Sequence, residues 1–174
     1  MIRKLSHEEI VADQVANSRE PRVPLVVVLD NIRSLLNVGA IFRAADGVGV
    51  EKIFLCGITG YPPQVGIAKT ALGAEESVPW EYRKDAVAVV KSLKSKGYMI
   101  LALEQARGAV AYEKFAAKSP VCLVVGNEVE GVSEALMACC DSAIEIKMLG
   151  IKNSLNVAVA FGVAAFALRK TIQV

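Results

Sequence analysis

Val125-Gly126-Asn127-Glu128-Val129-Glu130-Gly131-Val132-Ser133 and Ile146-Lys147-Met148-Leu149-Gly150-Ile151-Lys152-Asn153-Ser154-Leu155-Asn156 share one organisation. In each, an apolar run ends, glycine and polar residues gather, and a helix-like stretch follows. Ligands of open α/β sheets sit outside the carboxyl ends of the strands. Two such turns close together in the chain therefore predict one composite site.

The segments feeding these turns carry the fold. Leu25–Leu29, Ile53–Leu55, Tyr98–Leu103 and Val121–Val125 are short continuous runs of Val, Ile and Leu, the pattern of parallel strands covered on both faces. Ala143–Met148 is a fifth, more alternating candidate. Between Asp85 and Gly97 the apolar residues Ala86, Val89, Val90 and Leu93 recur at helical spacing. Asp85 is placed to cap this helix and Gly97 to close it, with Lys91, Lys94 and Lys96 in its C-terminal half. Strands alternating with helices predict an α/β fold with a mostly parallel sheet flanked by helices. The stretch 57–69, with Gly60, Pro62, Pro63 and Gly66, reads as a loop.

Two ends of the chain stand apart. Residues 1–20 read as a helical arm, with Ser6 and Glu9 at capping-box spacing, and residues 21–174 as the domain. From Leu155 to Leu168 the only polar side chain is Asn156. A helix apolar around its whole circumference is buried on all sides, one by its own domain and the other by a partner, so a homodimer is expected. The apolar stretch Val157–Leu168 is far short of the ~20 residues of a membrane span.

The 174 residues suit one domain with a full core. A net charge of +2 gives no bulk basicity, so a nucleic-acid ligand would need a local cationic patch. The first 20 residues lack the apolar core of a secretory signal, which points to the cytoplasm. Cys56, Cys122, Cys139 and Cys140 have no C-x-x-C spacing, fit neither a zinc site nor a disulfide framework, and read as reduced core or helix residues; no metal is expected. There is no Walker A sequence, and Gly47-Val48-Gly49-Val50-Glu51-Lys52 lacks the third glycine of a dinucleotide fingerprint.

A third segment follows the first strand. Asp30-Asn31-Ile32-Arg33-Ser34-Leu35-Leu36-Asn37-Val38-Gly39-Ala40-Ile41-Phe42-Arg43 contains Asn37, Gly39 and Arg43 as N-x-G-x-x-x-R, while Gly126, Glu128 and Gly131 form G-x-E-x-x-G. With Gly150, Ser154 and Asn156, these segments resemble, in order and spacing over residues 24–172, the motifs of the SpoU/TrmH branch of the SPOUT RNA methyltransferases. That resemblance implies transfer of a methyl group from S-adenosylmethionine to a ribose 2′-hydroxyl of tRNA or rRNA. It also implies a C-terminal trefoil knot, which periodicity alone would never suggest, and a homodimer with the active site near the interface.

The resemblance places Arg43 on the ribose hydroxyl. Arginine, with a pKa above about 12, is a poor proton acceptor, but its planar five-donor fork suits polarising the hydroxyl, stabilising an alkoxide or gripping a phosphate. Asn37, Glu128, Ser154 and Asn156 join it at the catalytic site. Asn37 is also placed to cap the helix carrying Arg43, and Ser154 to cap the final helix. Glu128 suits an organising role, accepting backbone amides or holding Arg43, more than general-base work. An amide at Asn156 beside so many apolar residues requires a specific partner. Gly39 suits a close approach of backbones.

For the cofactor, the resemblance implies recognition by backbone groups at Gly126, Ile146 and Leu155, with Leu103 and Glu104 added and Ile146 and Leu155 sandwiching the adenine. Arg33, Lys69 and Lys152 are loop cations suited to RNA phosphates. Lys147 stands where many relatives carry proline, and the extra N-terminal RNA-binding domain of larger relatives is not expected, which leaves target choice open. A non-catalytic RNA-binding assembly factor would have the same fold without need of the cofactor, and a small-molecule methyltransferase would turn over without RNA.

Overall fold

Residues 2–17, 20–117 and 120–172 are described by the computed structural model. Positions 1, 18 and 19 of the expected arm, and 118, 119, 173 and 174 of the expected domain, lie outside them. The continuous apolar runs form the middle of a seven-stranded sheet: β1 (Val23–Asp30), β2 (Val50–Cys56), β3 (Trp80–Arg83), β4 (Met99–Leu103), β5 (Val110–Ala111), β6 (Val121–Val125) and β7 (Ser142–Glu145). Their spatial order is β3-β2-β1-β6-β4-β7-β5, with every neighbouring pair parallel.

Side-chain alternation explains the runs. Leu25, Val27, Leu29, Leu123 and Val125 enter one core layer, while Val26, Val28, Cys122 and Val124 enter the other. Both faces are covered, so no position on β1 or β6 can be polar without a partner. The expected fifth strand is shorter than predicted: β7 stops at Glu145, and Ile146–Met148 leave the sheet to become cavity wall and loop. The edge strands β3 and β5 were not predicted. Trp80–Arg83 is partly exposed and ends in charge, and Val110–Ala111 is too short to carry a period.

On the first layer lie α2 (Leu35–Val48) and α7 (Val157–Arg169); on the second lie α5 (Ala86–Ser95) and α6 (Glu134–Met137). Helix α5 follows expectation, with the Asp85 carboxylate accepting from the Ala88 N–H at 3.0 Å and Ala86, Val89, Val90 and Leu93 as its buried residues. The arm forms α1 (His7–Asn17), opened by a reciprocal capping box: Ser6 N–H donates to Glu9 Oε2 at 2.8 Å and Glu9 N–H to Ser6 Oγ at 3.2 Å. None of its residues is buried.

Three expectations are corrected. The stretch 57–69 is a loop only to Gln64; α3 (Val65–Ala71) and α4 (Ala74–Ser77) follow, because Ile67 and Ala71 bury against α2. Helix α2 is capped by Ser34, whose hydroxyl accepts from the Asn37 N–H at 3.3 Å, so Asn37 lies inside the first turn and its side-chain amide is not the cap. Helix α7 is capped by Asn156 rather than Ser154, since Asn156 Oδ1 accepts from Ala158 N–H at 3.0 Å.

Within the single chain α7 buries Phe161, Ala164, Ala165 and Leu168, whereas Val159 and Phe166 remain 52% and 47% exposed. Burial pushes the Cys56 thiol up to about 12 and Cys122 further in the same direction, so neither is a nucleophile at neutral pH.

Gly39 sits where α2 crosses α3. A Cβ there would overlap the carbonyl oxygen of Ile67 and the hydroxyl of Thr70, and that hydroxyl donates to Leu36 O at 2.8 Å. Gly39→Ala gains up to ~1 kcal/mol of helix propensity but overpacks against backbone at a cost of about 1–3 kcal/mol. A net loss is expected, lowering the melting temperature by roughly 2–4 °C per kcal/mol lost. An unchanged or raised midpoint in a thermal scan would contradict the close approach.

Candidate active site

At the carboxyl edge of the sheet, the turns after β1, β4, β6 and β7 converge on a cavity of about 500 Å³. Its lining includes Leu103, Glu104, Gly126, Ile146 and Leu155, the residues expected at the cofactor, and Asn37, Glu128, Ser154 and Asn156 of the expected catalytic group. Arg43, Arg33, Lys69 and Lys152 do not line it; all four are exposed.

Glu128 joins the first and second segments. Its Oε2 accepts the Arg33 N–H at 3.0 Å, and its Oε1 accepts the Ser34 N–H at 3.1 Å and the Asn37 side-chain amide at 2.9 Å. Asn37 Oδ1 then accepts from Asn156 Nδ2 at 3.0 Å, bringing in the third segment. Asn156 is itself exposed, so the cost of burial expected for its amide does not apply; its bond to Asn37 joins segments rather than relieving a buried amide. Glu128 does not hold Arg43, which makes no hydrogen bond or ion pair with the described residues. Ser154 is exposed on the cavity wall, with its hydroxyl bonded to none of the described residues.

The glycines of G-x-E-x-x-G have separate causes. A Cβ on Gly126 would strike the backbone of Gly131 and Val132, and Gly131 adopts φ 71° against the Glu104 carboxylate. The turn is closed by paired bonds between Asn127 and Gly131, at 3.0 and 2.9 Å. Inside it, Asn127 Oδ1 accepts from Val129 N–H and Glu130 N–H, while Asn127 Nδ2 donates to Asn31 O at 2.8 Å. Glu104 spends its carboxylate on the N–H groups of Gln105 and Val132, each at 2.9 Å, and Gln105 Nε2 donates to Asn153 O at 2.5 Å. Ser34, Asn127 and Gln105 were not singled out from the sequence. Asn127 carried a signal, a turn-forming asparagine after a strand; Gln105 carried none.

Charge is distributed unevenly. Glu104, Glu128, Glu130 and Glu145 line the cavity, and among the described residues no Lys, Arg or His does. Such a lining opposes a phosphate and favours a compact cation. Burial raises the Glu128 carboxyl, but the Arg33 N–H, the Asn37 amide and the Ser34 N–H outweigh it and hold the group below its usual range.

Because that pKa is depressed, the stabilisation from ionised Glu128 is present above its unfolded value of about 4.3 and is lost as pH falls through the folded value. Glu128→Gln, which replaces an acceptor with a donor facing three N–H groups, is expected to lower the urea midpoint at pH 7 and to lose less stability than the parent on acidification from about pH 5 to pH 3. Parallel acid limbs for the two proteins would refute the organising role of the carboxylate.

Comparisons with known proteins agree with this geometry. Residues 24–166 match the model of the SpoU rRNA methylase family. The chain is 32% identical over 158 residues to the tRNA (guanosine(18)-2′-O)-methyltransferase of Thermus thermophilus, covering 91% of this chain and 79% of that protein. It is 30% identical over 167 residues to the 23S rRNA (guanosine-2′-O-)-methyltransferase RlmB of Vibrio parahaemolyticus, covering 95% and 65%. Among curated relatives it matches, five are spanned for only 57–66% of their length. Its fold superposes on the TrmH/SpoU tRNA-modifying enzyme of A. aeolicus with a TM-score of 0.81 at 27% identity, covering 93% of this chain and 84% of that one. An AdoMet-bound rRNA methyltransferase from Sinorhizobium meliloti gives a TM-score of 0.79 at 29% identity, over 87% of this chain and 58% of that one. By its motifs, its parallel sheet and its match across residues 24–166, this chain belongs to the SpoU rRNA methylase family.

Proposed function

We propose that the chain is an S-adenosylmethionine-dependent RNA ribose 2′-O-methyltransferase acting on tRNA or rRNA in the cytoplasm. The observation that carries this reading is the cavity rimmed by the Glu128–Asn37–Asn156 hydrogen-bond chain and lined, among the described residues, by four carboxylates and no cation. S-adenosylmethionine, which supplies an electrophilic methyl group on a sulfonium, is a cation of a size that suits about 500 Å³. Leu103, Ile146 and Leu155 offer it apolar walls. Glu104 and Glu128 spend their carboxylates on the chain's own amides, so they offset its charge through the cavity's field. Among the described residues no helix is long and apolar enough to cross a membrane.

The ribose hydroxyl keeps its proton at neutral pH, so the chain must orient it and stabilise the charge it develops. Asn37 has its amide fixed at both ends and marks the place where the sugar enters. Exposed cations outside the cavity, Arg33, Lys69 and Lys152, hold phosphates while the interior rejects them. Arg43 supplies the guanidinium, and the proposed homodimer brings it to a site. Helices α2 and α7 run side by side in the same direction, from the Asn37–Asn156 bond to the bond of Arg169 Nη1 with Gly47 O at 3.1 Å. Arg43 lies between these points on α2, next to Ala44, which faces Gly162, and one turn before Gly47, which faces Phe166. The trefoil path of the C-terminal segment and the division into an arm, 1–20, and a domain, 21–174, belong to the same proposal.

Arg43→Ala is expected to melt like the parent and bind S-adenosylmethionine equally in calorimetry, yet lose methyl transfer by about a hundredfold or more. Transfer within a fewfold of the parent would remove Arg43 from the mechanism. Radiolabelled S-adenosylmethionine with RNA from a deletion strain tests the activity and maps the nucleotide. Absence of cofactor binding would favour a non-catalytic RNA-binding factor, and turnover without RNA a small-molecule enzyme. Light scattering at micromolar concentration should give a dimer, converted to an inactive monomer by Phe166→Glu. An active monomer would overturn the role given to α7.

A further inference from the structure

A second cavity, of about 510 Å³, lies at the β3 edge of the sheet. Pro62, Pro63, Val65 and Trp80 give it apolar walls, and Glu75 and Glu76 give it acceptors. Trp80 is backed by Tyr61, with ring centroids 6.3 Å apart and planes 29° apart, and Tyr61 in turn lies 4.7 Å from Tyr82. Glu75 Oε2 is screened from solvent and meets no donor among the described residues. A carboxylate oxygen in that condition is expensive, and a ligand presenting an N–H group would relieve it.

Among the described residues no cation lines this cavity, and Glu75 and Glu76 disfavour phosphate and acidic peptides. A flat aromatic wall beside paired acceptors suits a planar ligand with N–H donors. Among the four RNA bases, guanine presents two adjacent donors, N1–H and the N2 amino group, on one edge. Its phosphate would lie outside, where Lys69 follows the lining residue Ala68 on α3, exposed and without an ion-pair partner among the described residues.

The position also favours RNA. Helix α3 carries Ile67, which lines this cavity and whose carbonyl packs on Gly39. The same helix holds Leu36 O through Thr70, one residue before Asn37 of the active-site cavity. Both cavities are thus tied to the first turns of α2, one through Asn37 and the other through Ile67 against Gly39. An arginine side chain offers similar donors, but a basic peptide would meet Lys69 unfavourably.

We infer that this cavity receives a guanine of the RNA substrate next to the nucleotide that is methylated, stacking it on Trp80 and pairing its donor edge with Glu75 and Glu76. This rests on the RNA methyltransferase reading. Trp80 is the sole tryptophan, so its emission reports on this cavity directly.

Guanosine 5′-monophosphate and short single-stranded oligoribonucleotides containing one guanine should quench Trp80 saturably, and oligomers of A, C or U alone should not. Glu75→Gln, which keeps the volume and removes an unpaired charge, should melt no lower than the parent and bind S-adenosylmethionine unchanged, yet weaken the quench about tenfold. If oligomers bind by anisotropy and are methylated while the emission stays constant, the base site is refuted and the methyltransferase reading stands. Quenching by N-acetyl-arginine amide but not by the guanine probes would refute it in favour of a protein partner. Quenching by guanine probes in a protein that neither binds S-adenosylmethionine nor methylates RNA would support the base site and sink the enzymatic reading.

Discussion

One side-chain amide, that of Asn37, holds the site together. It donates to Glu128 and accepts from Asn156, partners 91 and 119 positions away in the chain. Only an amide does both in one plane: a carboxylate would repel Glu128, and a hydroxyl is too short to span the two. The amide is free for this because Ser34 takes the capping task one turn earlier. Each bond to the ionised carboxylate is worth on the order of 1–2 kcal/mol net. Their larger effect is geometric, since they tie the segments after β1, β6 and β7 to one another.

The same economy of partners explains the turn after β6. Gly126 is small because a Cβ there would strike the backbone of Gly131 and Val132, whereas Gly131 adopts φ 71° and leaves the space that the Glu104 carboxylate enters. Gln105 carries the connection to Asn153, so the turn after β4 touches both loops of the cavity. The consequence is electrostatic as well as steric. Carboxylates that organise backbone amides also line the cavity, and the cations remain outside. A net charge of +2 conceals this separation, which is why the bulk balance says so little about partners.

Burial on both faces made the central strands legible in the sequence, since β1 and β6 have no solvent side to encode. Edge strands β3 and β5 lack that constraint. Helix α3 was hidden behind Pro62 and Pro63, whose local signal is a turn, while the burial that makes Val65–Ala71 helical comes from α2. The caps of α2 and α7 were displaced for a related reason: several residues in each segment can cap, and the tertiary partner decides which one does. Of the site, Asn37, Glu128, Ser154 and Asn156 were legible through motif spacing, and Leu103, Glu104, Ile146 and Leu155 through the resemblance those motifs carry. The tie between Gln105 and Asn153 was not, because neither residue type signals its partner from so far away.

The final helix links assembly to chemistry. Its first turn is fixed by Asn156, which is fixed by Asn37; farther along, Val159 and Phe166 leave an apolar face exposed in the single chain. Exposed apolar residues grouped along one helix are costly in water and mark an interaction surface. Covering them restrains the α7 axis, and α2 beside it, because Gly47 and Ala44 pack directly on Phe166 and Gly162. Arg43 rides on that same α2. A single protomer thus contains the hydrogen-bond chain and the carboxylate-lined cavity but leaves its guanidinium in solvent. In the proposed dimer, the apolar face offered for association and the arginine assigned to the ribose are carried by the same packed pair of helices, so that reading couples completion of the site to the covering of that face.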